Sequence, residues 1–294
     1  MTYLLVPLLI TFIIVALILL IVHLGFRAPR NREIGSPNDF GIDFKEAVIP
    51  TVSEKKLFAW LLPVENSNET IILLHGWGGN AELMLPIGLP FHRAGLNVLL
   101  IDTRNHGNSD SGSVSSMPRF AEDLDSSINW LKKYHPDKTS KIALLGHSVG
   151  AGAVLLEASK RDDIHAVMSV SAFAHTEWMM KRHLKKIHMP DFIIWLIFRY
   201  IEWVIGRKFQ HIAPMNTVCH IRCPVLLVHG KEDFTVPIED ARAIITNCPE
   251  SHISLIEIDG AGHDSVDKIE ENAARLISFL QQSDFSCVSD INQS

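Results

Sequence analysis

Cysteine is scarce in this chain: Cys219, Cys223, Cys248 and Cys287 are the only four in 294 residues. That is too few for a dense disulfide framework. The close pair Cys219 and Cys223, with His220 between them, lacks the further ligands at fixed spacing that a metal site needs. All four are read as small buried or loop thiols. An excess of positive charge is also missing. Lys and Arg number 27 against 33 Asp and Glu, a net charge of −6 that argues against nucleic acid as the main partner. Internal repeats and low-complexity tracts are absent. What the chain has is 47% apolar residues, enough to bury one sizeable core.

The stretch from Tyr3 to Leu24 carries no formal charge. As a helix it spans about 33 Å, the thickness of a bilayer core. A cleaved signal peptide is the competing reading, but it would want a basic start, a shorter apolar run and a small-residue cleavage site. No basic side chain precedes the run, no A-x-A follows it, and no lipobox cysteine is present. A retained transmembrane anchor over residues 1–26 is expected. Arg27, Arg30 and Arg32 flank its carboxyl side, which by the positive-inside rule puts the rest of the chain on the cytoplasmic side. Residues 27–43, with Gly35, Pro37 and Gly41, read as a linker. Residues 44–282 read as the globular domain, and the polar residues 283–294 as a flexible tail.

Gly146-His147-Ser148-Val149-Gly150 fits G-x-S-x-G. By chance such a pentapeptide occurs in roughly one chain in ten of this length, so its flanks decide. A strand-like run, Lys141 to Leu145, precedes it, and a helix-like run, Ala151 to Lys160, follows. That setting is a nucleophile elbow, a tight turn that lifts Ser148 above a sheet. Ser148 is a poor nucleophile until a base takes its proton, and a histidine does that near neutral pH. Pro224 to Gly230 reads as a later buried strand followed by Lys231-Glu232-Asp233. Ile253 to Ile258 reads as the last one, followed by Gly260-Ala261-Gly262-His263-Asp264. His263 is the candidate base. Glu232, Asp233 and Asp264 are candidates for the acid that orients it. The order serine, acid, histidine is that of α/β-hydrolases. In that architecture the oxyanion is held by two backbone N–H groups. One belongs to the residue after the nucleophile, Val149. The other comes from the loop after the third strand, here Gly76-Trp77-Gly78-Gly79, and is placed on Trp77.

At these residues the chain resembles the α/β-hydrolase superfamily. It looks most like membrane-anchored serine hydrolases of the esterase, monoacylglycerol lipase and serine aminopeptidase type. The matching segments are His75 to Gly79, Asp102 to Ser109, Gly146 to Gly150, His229 to Asp233 and Gly262-His263, within about residues 44 to 282. The resemblance implies Asp233 as the acid, and a catalytic set of Ser148, Asp233 and His263 that calls for no cofactor or metal. One departure is Asn105, where the family has glycine before His106; asparagine tolerates left-handed backbone well.

Strands are predicted at Phe44–Ile49, Leu57–Leu62, Thr70–His75, Asn97–Asp102, Lys141–Gly146, Ala166–Val170, Val225–His229 and His252–Ile258. Helices are predicted at Ala81–Ala94, Pro118–Tyr134, Ser148–Ser159, Ile238–Asn247 and Ser265–Leu280. This alternation implies an α/β fold with a mostly parallel eight-stranded sheet covered on both faces. About residues 174–222 break the alternation and read as a helical cap insertion. The cap holds basic Lys181 to Lys186 and an apolar stretch from Phe192 to Ile205. Three readings apply to that stretch: a buried cap helix, an acyl-binding wall or membrane-facing lid, and a second transmembrane helix. Under the second, Phe192, Trp195, Phe198 and Trp203 bind substrate. The expected activity is hydrolysis of carboxylic esters with an apolar acyl group, including lipids and thioesters. The alternatives are a serine peptidase or amidase and a non-catalytic scaffold. The expected partners are the ester substrate and a membrane, met through the amino-terminal helix with the cap as a further candidate contact.

Overall fold

The computed structural model describes residues 2–286. Its centre is a sheet built from runs too apolar to face water on either side. The strands are β1 (Lys45–Thr51), β2 (Lys55–Leu62), β3 (Glu69–Leu74), β4 (Asn97–Ile101), β5 (Lys141–His147), β6 (Ala166–Val170), β7 (Val225–Gly230) and β8 (Ile253–Ile258). Every residue of β3, β4, β6 and β7 is buried. Alternate side chains therefore feed two cores, as in sheets covered on both faces. One core holds Ile72, Leu74, Leu99 and Leu144; the other holds Ile71, Leu73, Leu100 and Leu145.

The strand order is β1-β2-β4-β3-β5-β6-β7-β8. The pairs β1–β2 and β2–β4 are antiparallel and all others are parallel. All eight predicted strands form, with ends that agree to within two residues and β6 exact. This is the α/β-hydrolase sheet, and it brings the carboxyl ends of β3, β5, β7 and β8 to one edge.

Eleven α-helices lie among the described residues: α1 (Thr2–Gly25), α2 (Leu85–Arg93), α3 (Met117–Tyr134), α4 (Val149–Ala158), α5 (Thr176–Lys186), α6 (Asp191–Ile205), α7 (Phe209–Ile212), α8 (Pro214–Thr217), α9 (Ile238–Asn247), α10 (Val266–Glu271) and α11 (Ala273–Gln282). Two predicted helices are altered. The one from Ala81 begins as a 3₁₀ turn at Glu82–Met84 and becomes α-helical at Leu85. Pro86 takes the early position where a missing N–H costs nothing. The last predicted helix breaks at Asn272 into α10 and α11.

Helices α5 to α8 form the cap between β6 and β7. α6 buries Ile193, Ile194, Ile197, Phe198 and Ile201 and turns Phe192, Trp195 and Trp203 outward. α1 occupies the place of the expected anchor. Its Val15, Ile18 and Val22 pack against the core, and His23 Nδ1 meets Tyr200 Oη on α6 at 3.0 Å. Among the described residues no helix is long and apolar enough to cross a membrane; the side chains of residues 1–5, 7, 8 and 11 lie outside that description.

Two expectations about connecting segments are corrected. Residues 29–36 are docked on the domain by a series of hydrogen bonds, so the expected linker is in large part a structural element. Residues 283–286 of the expected flexible tail are held on the domain. Phe285 is buried in the core, and the Ser286 amide donates to Glu69. Residues 287–294, Cys287 among them, lie outside the described residues. The other three cysteines are free thiols, Cys248 buried and Cys219 exposed.

Candidate active site

The elbow is dictated by what cannot fit there. A Cβ on Gly146 would lie 2.2 Å from the Gly150 carbonyl oxygen, and one on Gly150 would lie 2.5 Å from the carbonyl oxygens of Leu74 and His75. Only glycine allows this approach of β5, α4 and the end of β3. Ser148 lies between them at φ 55° and ψ −115°, a conformation that L-residues adopt only under strain. Its N–H donates to the Val170 carbonyl, and its own carbonyl accepts from Gly152 inside α4. Both ends of the strained residue are thus pinned.

Two hydrogen bonds run from Ser148 through His263 to Asp233. His263 Nε2 is 2.9 Å from Ser148 Oγ, and Nδ1 is 2.7 Å from Asp233 Oδ2. Asp233 Oδ1 accepts the amides of Thr235 (2.9 Å) and Val236 (2.7 Å). Burial by itself would push the Asp233 carboxyl up. The side chains of His229 and His263 and the Val236 amide outweigh that and hold it well below the usual carboxylate range. Asp233 is therefore a fixed anion aimed at Nδ1. Glu232 and Asp264 are exposed, so among the three candidate acids the structure puts Asp233 against the imidazole.

Two histidines missed in the sequence brace this line. His147 Nε2 lies 2.8 Å from the His263 carbonyl, which can only accept, so this nitrogen carries the proton. Burial holds the His147 pKa down and keeps its ring neutral. His229 Nε2 donates to the Val236 carbonyl at 2.7 Å and lies 3.5 Å from Asp233 Oδ2. Neither residue could be singled out among fifteen histidines. The signal was position: His147 stands in the variable place of the elbow, and His229 is the penultimate residue of β7.

The loop after β3 reaches the same place. His75 Nε2 accepts the Thr103 amide at 3.1 Å, and Nδ1 donates to the Gly76 carbonyl at 2.7 Å. Burial, with His106 nearby, lowers the His75 pKa to about 3 and keeps this strut uncharged. Asp102 accepts the amides of Ala81 and Asn108, each at 2.7 Å. Burial and the adjacent Glu33 carboxyl push the Asp102 pKa up to about 8. Asn105 has φ 70°, the left-handed backbone for which it stands in place of glycine. Val149 opens α4, so its N–H has no partner within the helix. Trp77 and Val149 both border the cavity above Ser148.

That cavity has a volume of about 820 Å³. Its floor is Ser148, His263 and the Gly76–Gly79 turn. Its walls are Met179, Met180 and Leu184 of α5, Ile197, Ile201 and Ile205 of α6, and Val22, Gly25 and Phe26 at the end of α1. This corrects the expected substrate-binding set. Phe192, Trp195 and Trp203 are exposed, and Phe198 packs edge-on against Phe209 with ring centroids 5.7 Å apart. None of the four lines the cavity. α6 is apolar on almost every side, and the stripe turned inward is the isoleucine one.

His147, His263 and Asp264 have possible ligand atoms within 4.8 Å of one another. Both ring nitrogens of His263 are engaged by Ser148 and Asp233, which leaves that residue no free lone pair for a resident cation.

The chain is 26% identical over 232 residues to an uncharacterized membrane protein of Saccharomyces cerevisiae, covering 78% of this chain and 77% of that one. An esterase of Pyrococcus furiosus superposes with a TM-score of 0.73 at 25% identity, over 87% of this chain and 98% of the other. A protein of Butyrivibrio proteoclasticus with ferulic acid bound superposes at 0.63 and 21% identity, over 81% and 100%, which shows the shared fold. The model of the serine aminopeptidase S33 hydrolase family matches residues 65–215, which include the elbow and the Gly76–Gly79 turn. With that match over half its length, the chain belongs to the serine aminopeptidase S33 family of α/β-hydrolases.

Proposed function

We propose that this hydrolase is a serine esterase acting on carboxylic esters with an apolar acyl group, thioesters included. The observation that carries the reading is the aligned Ser148–His263–Asp233 line at the floor of an apolar cavity. Ser148 Oγ attacks the acyl carbonyl while His263 Nε2 takes its proton. The carbonyl electron pair moves to oxygen, where the Val149 and Trp77 amides hold it. His263 returns the proton to the leaving alcohol, and water then releases the acid by the same steps. Asp233 stabilises the imidazolium at each stage. The test is labelling by a fluorophosphonate together with kcat/KM over an ester series of increasing acyl length. Absence of both labelling and turnover would end the esterase reading.

A peptidase or amidase is the second reading, favoured by the family's name. An aminopeptidase has to hold an ammonium group, and Asp264 is the single carboxylate among the residues bordering the cavity. An apolar wall with one exposed acid favours the ester.

The cavity walls give an expected result. Ile205→Trp fills acyl space and shifts preference from long to short chains. Each buried CH₂ is worth about 0.8 kcal/mol, so excluding about four of them shifts the ratio of kcat/KM values by about two orders of magnitude. Trp195→Ser, on the outward face, leaves that ratio unchanged. The same ester series measures both.

The membrane reading rests on the sequence alone, the uncharged apolar run from Tyr3 to Leu24. In this reading α1 anchors the chain, and the outward Phe192, Trp195 and Trp203 with the nearby lysines of α5 meet the lipid surface. In the same reading Arg27, Arg30 and Arg32 favour the cytoplasmic side for the hydrolase domain. A reporter fused at the carboxyl end is expected to read cytoplasmic, and a readout from the opposite side would reverse the orientation.

A further inference from the structure

The segment after α1 crosses the outside of the turn that carries Trp77. Asn31 Nδ2 donates to the Gly78 carbonyl at 3.0 Å, and the Asn31 carbonyl accepts from Asn80 Nδ2 at 3.2 Å. One residue thus grips the turn at two points. Gly78 has φ 73°, and a Cβ there would lie 3.0 Å from the Pro29 ring, so the proline lies flat against the turn. The segment is itself fastened on both sides. Arg30 donates to the Ser109 carbonyl at 2.8 Å, while the amides of Ile34 and Gly35 donate to the two carboxylate oxygens of Glu82 at 2.7 and 2.9 Å. Ahead of it, the Phe26 carbonyl accepts the Ser115 amide at 2.9 Å.

Within the turn, the Gly79 amide donates to the Gly76 carbonyl and closes the backbone around Trp77, and His75 Nδ1 donates to the same carbonyl at 2.7 Å. The Gly76–Trp77 peptide is thus held at its carbonyl, whereas the Gly78–Gly79 peptide, whose N–H makes the closing bond, takes its carbonyl partner from outside the turn, and the glycines on both sides of Trp77 leave the dihedrals free. An oxyanion donor works only when its N–H already points at the developing charge, and small misplacements are costly in rate. Asn31 fixes the Gly78–Gly79 peptide from outside the domain core, and through the Gly79 N–H it bears on the Gly76 carbonyl and so on the peptide that carries the Trp77 N–H.

We propose that residues 29–35 are a positioning strap for the oxyanion turn, with Asn31 as the positioning residue that sets the tilt of the Trp77 N–H. This rests on the assignment of Trp77 as an oxyanion donor. It gives the segment behind α1 a part in turnover that a plain tether would not have, so α1, the strap and the oxyanion turn form one continuous mechanical connection.

The experiment uses the full chain carrying Asn31→Ala or Asn31→Asp. Asn31 is exposed, so neither change opens the core. Aspartate keeps the size and the backbone bond to Asn80 but has no N–H for Gly78. Four quantities are read: kcat and KM on a short-chain ester, inhibition by an alkyl trifluoromethyl ketone, inhibition by the matching methyl ketone, and Tm. The trifluoromethyl ketone forms a bond from Ser148 Oγ to its carbonyl carbon, passes the serine proton to His263, and leaves an oxyanion that needs the Trp77 N–H. The methyl ketone binds without adding. Both variants are expected to lose about tenfold in kcat and about tenfold in affinity for the trifluoromethyl ketone, with KM, methyl ketone affinity and Tm held. Parental kcat in both variants overturns the strap. So does a loss shared by both ketones, or one that follows a fall in Tm, because either marks general damage. If Ser148→Ala also retains activity, the serine mechanism fails; if Ser148→Ala is inactive and the Asn31 variants are unaffected, the strap alone fails.

Discussion

Replacing Ser148 with alanine is expected to lower ester hydrolysis by about three orders of magnitude or more and to abolish fluorophosphonate labelling. Alanine keeps the Cβ and therefore the strained backbone at φ 55°, so the elbow is preserved. What is lost is the oxygen 2.9 Å from His263 Nε2. Without it no acyl-enzyme forms, and the remaining rate comes from the oxyanion donors acting on water. Strain held for function costs stability, and the substitution leaves that strain in place, so the melting temperature stays close to that of the parent. The measurements are kcat/KM on a short-chain ester, the label, and a thermal melt. An alanine variant as fast as the parent would sink the serine mechanism.

The second large effect is expected at Asp233. In Asp233→Asn the side-chain oxygen continues to accept the amides of Thr235 and Val236, because those donors leave it no alternative. The new NH₂ then faces His263 Nδ1, which must become the acceptor. The proton moves to Nε2, the nitrogen that has to receive the serine proton, and the base is blocked. In a serine protease the same change lowers kcat about 10⁴-fold, and a loss of that order is expected here, with KM nearly unchanged. Glu232→Gln, on an exposed neighbour, is expected to leave kcat within about twofold. Equal losses at Glu232 and Asp233 would overturn the assignment.

Asp233 also has a signature in stability. Its folded pKa lies below the unfolded value, so it contributes stability that is present above about pH 4 and lost as the pH falls further. The asparagine variant has no such contribution at any pH. The difference in Tm between parent and variant should therefore shrink on acidification.

The sheet was legible because its signal is local. Short apolar runs closed by glycine or a charged turn and alternating with helical patterns read as strands, and all eight formed, whereas the equally apolar run Phe192–Phe198, outside that alternation, is helix α6. The elbow was legible for the same reason: Gly146 and Gly150 flank Ser148 at the only spacing that lets β5, α4 and the end of β3 approach. The serine–acid–histidine order followed from counting strands. Helix boundaries were less legible, because α2 and α10 are cut by a 3₁₀ turn and by Asn272 rather than by proline or glycine.

The sequence by itself determined the fold class and named the candidate nucleophile, the candidate histidine and the shortlist of acids, since each is marked by neighbours in the chain. Tertiary structure decided everything that depends on which surfaces meet. It chose Asp233 by placing Glu232 and Asp264 in solvent. It set His147 against the His263 carbonyl, 116 residues away. It turned the isoleucines of α6 toward the cavity and Phe192, Trp195 and Trp203 away from it. A helix apolar on nearly all sides has no periodicity that selects a face, so only its packing partners can. It also drew residues 29–36 from an apparent linker onto the domain, against the Gly76–Gly79 turn. Those bonds join side chains such as Asn31 and Glu82 to backbone groups about fifty positions away, and backbone groups leave no mark in a sequence.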